Sequence, residues 1–92
     1  MGTMIRQHVV VHGMVQGVGF RYSARQQATR LGITGFARNQ QDGTVELEIE
    51  GGSAAVERML DWLRSGPRGA VVESVDTSEL RPTGDDDFRI TF

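Results

Sequence analysis

The stretch Gly13-Met14-Val15-Gln16-Gly17-Val18-Gly19-Phe20-Arg21 places three glycines within seven residues, between an apolar run and a helix-like one. A strand that turns through glycine into a helix predicts a loop built for close approach of its backbone to a ligand. Glycine tolerates positive φ and carries no side chain, so successive N–H groups can converge on one anion. The helix start adds its unpaired first-turn N–H groups and the positive end of its dipole. Arg21, in that first turn, adds a planar fork that grips two phosphoryl oxygens at once, which lysine cannot do. The predicted phosphate cradle therefore comprises Met14, Val15, Gln16, Gly17, Val18, Gly19, Phe20 and Arg21. Met14, Gln16 and Val18 would serve through backbone N–H groups, with bracing of the loop by the side-chain amide as a second reading of Gln16. The spacing fits neither the dinucleotide fingerprint nor the Gly-Lys-Ser/Thr phosphate loop.

Working outward, Ile5 to His12 reads as a strand, with Ile5, Val9 and Val11 on one face and Arg6, His8 and His12 on a wetter one. After the cradle, Phe20, Ala24, Ala28 and Leu31 recur at helical spacing, and Gly32 stops the helix. Ile33 to Asn39 is a second strand. Asp42-Gly43 signals a hairpin into Thr44 to Glu50, where Val45, Leu47 and Ile49 point inward and Glu46, Glu48 and Glu50 outward. A second helix, about Ser53 to Arg64, carries Val56, Met59, Leu60 and Leu63 as its apolar stripe, with Ser53 as N-cap and Gly66-Pro67 as terminator. Val71 to Leu80 is a strand whose broken alternation predicts a bulge. Pro82 to Asp87 is a loop, and Phe88 to Phe92 a short edge strand. This order, βαββαβ with an extra terminal strand, predicts the α+β class: a ferredoxin-like sandwich of an antiparallel sheet of four to five strands with two helices on one face.

At 92 residues the chain makes one domain, residues 1–92, with Met1-Gly2-Thr3 as a short lead-in. Cysteine is absent, which excludes disulfides, thiolate metal sites and cysteine nucleophiles. All ten cations are arginine, so Schiff-base and lysine-base chemistry is excluded too. A net charge of −2 argues against a nucleic-acid partner held by non-specific phosphate contacts. No apolar run reaches signal-peptide or membrane-spanning length, so the expectation is a cytoplasmic protein with no membrane partner, and nothing demands more than a monomer.

A second stretch sharpens the reading: Gly35-Phe36-Ala37-Arg38-Asn39-Gln40-Gln41-Asp42-Gly43-Thr44-Val45, followed by Glu50-Gly51. Taken alone, Asn39 before a hairpin reads as a turn former. Together the two stretches closely resemble the acylphosphatase family. That family's first motif is Gly-x-Val-Gln-Gly-Val-x-Phe-Arg. Its second is Gly-aromatic-small-basic-Asn, three residues, Gly-x-Val, five residues, Gly. Both are complete here, over Gly13 to Arg21 and Gly35 to Gly51. The resemblance implies hydrolysis of small-molecule acyl phosphates to a carboxylate and inorganic phosphate, without metal or other cofactor. It implies Arg21 as the phosphate-binding arginine and Asn39 as the residue that holds the attacking water. An amide suits that task because it accepts from water while staying uncharged beside a developing anion.

Other residues take plainer readings. His12, without a paired carboxylate, reads as a surface residue, and His8 with His12 lacks a third ligand for a metal. Asp85-Asp86-Asp87 reads as a solvated loop, because consecutive acids cannot all face one ion. Phe20 and Phe36 are expected in the core, and Trp62 in packing at the edge of the second helix's stripe. The rival reading is a non-catalytic, regulatory or anion-binding module on the same plan, which also serves RNA-binding domains. An RNA-binding sheet would carry aromatic and basic residues on its open face, where this chain places Arg6, His8, Glu46, Glu48 and Glu50. Acylphosphatase-like domains also occur fused to hydrogenase maturation proteins; with no further domain after Phe92, a free-standing form is the expectation.

Overall fold

The computed structural model describes residues 3–92, so Met1 and Gly2 of the expected lead-in lie outside the described residues. The elements are β1 (Met4–Met14), α1 (Phe20–Leu31), β2 (Thr34–Asn39), β3 (Val45–Gly52), α2 (Ser53–Ser65), β4 (Val71–Leu80) and β5 (Phe88–Thr91). They form a five-stranded sheet in the order β4-β1-β3-β2-β5, with both helices packed against it. Val9, Val11, Val45, Leu47 and Ile49 meet Phe20, Ala24, Ala28, Val56, Met59 and Leu63 in one core. The alternation in β1 and β3 and the helical spacing of the two stripes bring these residues to a common side.

The sheet is antiparallel except at one edge, where β5 runs parallel to β2 and not antiparallel as expected. The connection from β4 crosses the sheet to reach that edge, which is what reverses the strand's direction. The expected bulge is present in β4: His12 pairs with Ser74 and Gly13 with Val72, leaving Glu73 as the extra residue. Gly13 is needed there, because at its φ of 130° a Cβ would stand 2.1 Å from the Val71 carbonyl oxygen. It therefore belongs to strand packing and not to the anion loop.

Three local expectations change. Ser53 is the first residue of α2 and not its N-cap; extended Gly52 occupies that position and makes no side-chain capping bond. β3 runs on to Gly52, so the last residue of the strand is also the N-cap of the helix. Ile33 lies between α1 and β2, its N–H donating to the Ala28 carbonyl at 2.8 Å to close the helix end, and β2 begins one residue later. Phe36 is half-buried on the outer face, beneath the Arg38 guanidinium, because Gly35 and Ala37 take the inward parity of β2. Phe20 and Trp62 pack as expected, with ring centroids 5.7 Å apart.

The outer face differs most. Arg6 is 3% exposed and Glu50 2%. The segment after β4 folds over them: the N–H groups of Thr83 and Gly84 donate to Glu50, and Asp85 pairs with Arg6 at 3.1 Å. Glu50 thus points outward from the sheet, as expected, yet ends under a strap. Of the three consecutive acids only Asp86 and Asp87 are exposed.

Candidate active site

The loop from Val15 to Gly19 leads directly into α1. Gly17 and Gly19 hold φ of 76° and 73° with open space where a Cβ would stand, so conformation and not crowding requires glycine there. Gly19 is the N-cap of α1 and offers no side-chain cap, and the first turn holds no acidic residue. Among the described residues, no backbone N–H from Val15 to Tyr22 donates to a turn, loop or capping carbonyl; the first to do so is Ser23, to Gly19. The donors of the loop and the first helical turn are therefore unpaired within the fold, at the positive end of the helix dipole, an arrangement that can accept an anion.

A cleft of about 140 Å³ opens at this helix start, lined by Val15, Gly17, Gly19, Phe20, Arg21, Tyr22 and Asn39. Arg21 and Asn39, 18 positions apart in sequence, therefore share one space. Strand parity accounts for Asn39: it continues the inward series Gly35, Ala37 past the end of the packed core and so faces the start of α1. The hairpin's own hydrogen bonds are made by Gln40, Asp42, Thr44 and Gln16, and none uses the Asn39 amide.

Of the predicted cradle, Met14 is the last residue of β1, paired with Val71, and Met14, Gln16 and Val18 lie outside the cleft lining. Gln16 acts as a brace: its side-chain Nε2 donates to the Gln40 carbonyl at 2.7 Å and to the Thr44 carbonyl at 2.9 Å. One amide thereby ties the cradle to the hairpin that follows Asn39. Thr44 tightens the same turn, its hydroxyl 2.8 Å from Gln40 Oε1 and 2.6 Å from Asp42 Oδ1. The Thr44 hydroxyl and, after it, the Thr44 N–H hold the Asp42 carboxyl below its ordinary value.

Arg21 meets no carboxylate among the described residues, but it is anchored. Its Nη1 donates to the Thr91 carbonyl at 3.0 Å, and its guanidinium lies 4.8 Å from the Phe92 ring centroid. This anchor comes from β5: its parallel register sets Thr91 beside Arg38, one residue from Asn39. Tyr22 is the lining residue that sequence reasoning passed over. Its one signal was its position directly after Arg21.

The two histidines lie elsewhere. His8 Nε2 is 2.8 Å from Glu46, which Arg38 also contacts, and the His8 bond ahead of the Arg38 pair holds the Glu46 carboxyl below its ordinary value. His12, expected to be without a carboxylate, stands 2.9 Å from Asp76 across the β1–β4 ladder. Among the described residues no three His, Cys, Asp or Glu side chains converge as a metal site. Likewise no helix is long and apolar enough to cross a membrane.

An α+β sandwich with unpaired loop amides, a forked cation and a free amide around one small cleft places the protein in the ferredoxin-like class. A sequence model of the acylphosphatase family matches residues 7–90. The acylphosphatase of Yersinia pseudotuberculosis serotype O:1b is 49% identical over 83 residues, 89% of this chain and 90% of that protein. The acylphosphatase of Gloeobacter violaceus is 47% identical over 90 residues, 98% and 97% of the two chains. Among solved structures, an acylphosphatase from Coxiella burnetii superposes with a TM-score of 0.92 at 38% identity, covering 96% of this chain and 93% of its own. The chain belongs to the acylphosphatase family, a family of enzymes.

Proposed function

We propose that the protein hydrolyses acyl phosphates, with water attacking phosphorus and the carboxylate leaving. The observation that carries this reading is the shared cleft of Arg21, the unpaired loop amides and Asn39. The phosphoryl group sits at the start of α1, its oxygens taking the loop N–H groups and the free donors of Arg21. Asn39 accepts a hydrogen bond from one water and directs it at phosphorus. As the new P–O bond forms, the bond to the acyl oxygen breaks and its electron pair leaves on the carboxylate, while the protons of the water pass to phosphate and solvent. A carboxylate needs no proton to depart, so neither side-chain nucleophile nor general acid is required. Positioning and charge neutralisation supply the catalysis. A purely anion-binding module would need the cradle alone and would leave the Asn39 amide without a task.

The same reading takes residues 1–92 as one domain that acts as a cytoplasmic monomer, without nucleic acid, membrane or cofactor. The shared core of all elements, the negative charge and the absence of cysteine support it. The direct test is phosphate release from acetyl phosphate by purified protein at catalytic concentration. Turnover above the spontaneous rate, inhibited competitively by inorganic phosphate, is expected. A folded protein that binds phosphate but gives only the spontaneous rate would leave the binding module as the correct description.

A further inference from the structure

Among the residues that line the cleft, one side chain has a broad exposed surface that neither the fold nor phosphate binding uses. Val15 and Phe20 are buried in the core, Gly17 and Gly19 present only backbone, Arg21 is anchored on Thr91, and Asn39 is assigned to water. Tyr22 lines the same cleft yet is 55% exposed. Arg25, three residues on along the same helical face, sets its guanidinium 5.4 Å from the Tyr22 ring centroid and so steadies the ring. A space of about 140 Å³ is well below the roughly 300–1,000 Å³ of sites that enclose larger organic ligands. Once it holds the phosphoryl head, the rest of the substrate must extend over the rim, where Tyr22 stands.

We infer that Tyr22 forms an acyl-group subsite, its ring stacking on a planar aromatic acyl group and selecting aroyl phosphates over small aliphatic ones. This inference rests on the acyl phosphate hydrolase reading. An exposed aromatic face gains most from a second ring, which buries apolar area on both partners and adds a geometric preference that a methyl group cannot supply.

The test compares kcat/KM for benzoyl phosphate and acetyl phosphate in the native protein, Tyr22→Ala and Tyr22→Phe. The quantity that matters is the ratio of the two, since damage to the phosphoryl site lowers both and leaves the ratio in place. Loss of a ring stack should lower the benzoyl-to-acetyl ratio roughly three- to tenfold in Tyr22→Ala, chiefly through the KM for benzoyl phosphate, while Tyr22→Phe keeps the native ratio. An unchanged ratio in Tyr22→Ala overturns the subsite alone. A ratio that falls as far in Tyr22→Phe as in Tyr22→Ala also overturns it, because the ring would then not be the element that selects. A native protein that hydrolyses neither substrate removes the hydrolase reading and the subsite with it.

Discussion

Arg6 and Arg21 are both partly or wholly buried guanidinium groups, and they are held in opposite ways. Arg6, on the outer face of the sheet, meets Glu48 at 2.8 Å, Glu50 at 2.9 Å and Asp85 at 3.1 Å, with Thr83 Oγ1 at 3.0 Å as a further acceptor. Burial alone would lower its pKa, but these hydrogen bonds and charges raise it instead. Arg21, at the start of α1, has one carbonyl and an aromatic face. A saturated cation closes the fold over itself, whereas a cation anchored by one neutral acceptor keeps its charge and its other donors for an incoming anion. The difference teaches that a buried charge here is available to a ligand only where its hydrogen bonds are left incomplete.

Separating the two regions by mutation tests the comparison. The largest effect is expected from Arg6→Met, which leaves Glu50 buried without its cation. Removing one partner of such a cluster costs about 3–5 kcal/mol of stability. Denaturant unfolding should show that loss, with kcat/KM per folded molecule near the native value. A folded Arg6→Met protein with strongly reduced kcat/KM would mean that the strap and the cleft are not independent.

Next comes Asn39→Ala, for which kcat should fall about two orders of magnitude or more, as for loss of one pre-positioned polar group in the transition state. In the proposed reading phosphate contacts the cradle and Arg21 but not Asn39, so its inhibition constant should change little. If Asn39 only shapes the turn before Gly43, Tm drops and binding and turnover shift together; a destabilised variant with substantial kcat would sink the water-positioning role. Arg21→Lys keeps the charge but loses the fork, and with about 1.5–3 kcal/mol per charge-assisted hydrogen bond a tenfold or greater fall in kcat/KM is expected. Near-native kinetics in that variant would falsify the assignment.

A smaller effect separates the regions by pH. Burial pushes the Glu50 carboxyl up, but the Thr83 N–H, Arg6 and the Gly84 N–H together outweigh it and hold the group below its ordinary value of 4.5. The unfolded chain therefore takes up this proton first. Stability from Glu50 is present in full above 4.5 and is lost as pH falls through the lower folded value. Melting curves from neutral to acid pH should show a shallower acid loss in Glu50→Gln than in the native protein; equal slopes would remove Glu50 from the account. The smallest expectation is no change at all: exhaustive EDTA treatment and joint replacement of His8 and His12 by Asn should leave kcat in place. Activity lost to EDTA and restored by a divalent ion would require a metal-dependent mechanism instead.

Much of this architecture was legible locally. The alternation of Val45, Leu47 and Ile49, the helical stripes and the stopping Gly32 follow from periodicities of two and 3.6 that act within a few residues. The loop glycines and Arg21 were legible for the same reason, since positive φ and a first-turn position are properties of neighbouring residues. Asn39 was harder. As a residue before a hairpin it looked like turn chemistry, and its candidacy came from the resemblance of the two motifs.

The remaining features depend on which distant segments meet. The brace made by the Gln16 side chain became visible only through the proximity of the Gln40 and Thr44 carbonyls, and it leaves the Gln16 backbone N–H unpaired among the described residues. Alternation alone sent Arg6 and Glu50 toward water, yet the strap from Thr83 to Asp85 buries both, because complementary charge can hold a loop across a sheet face that periodicity leaves open. Phe36 went to the outer face because Gly35 and Ala37 fit where the β2 backbone packs closely: a Cβ on Gly35 would stand 1.8 Å from the Glu48 carbonyl oxygen. The direction of β5 was the least legible of all. Nothing in Phe88 to Thr91 states whether it pairs parallel or antiparallel, since strand direction is set by the path of the connection and not by side-chain pattern. That path brings the Thr91 carbonyl to Arg21 and turns a helix-start arginine of the sequence into an anchored group that lines the same cleft as Asn39.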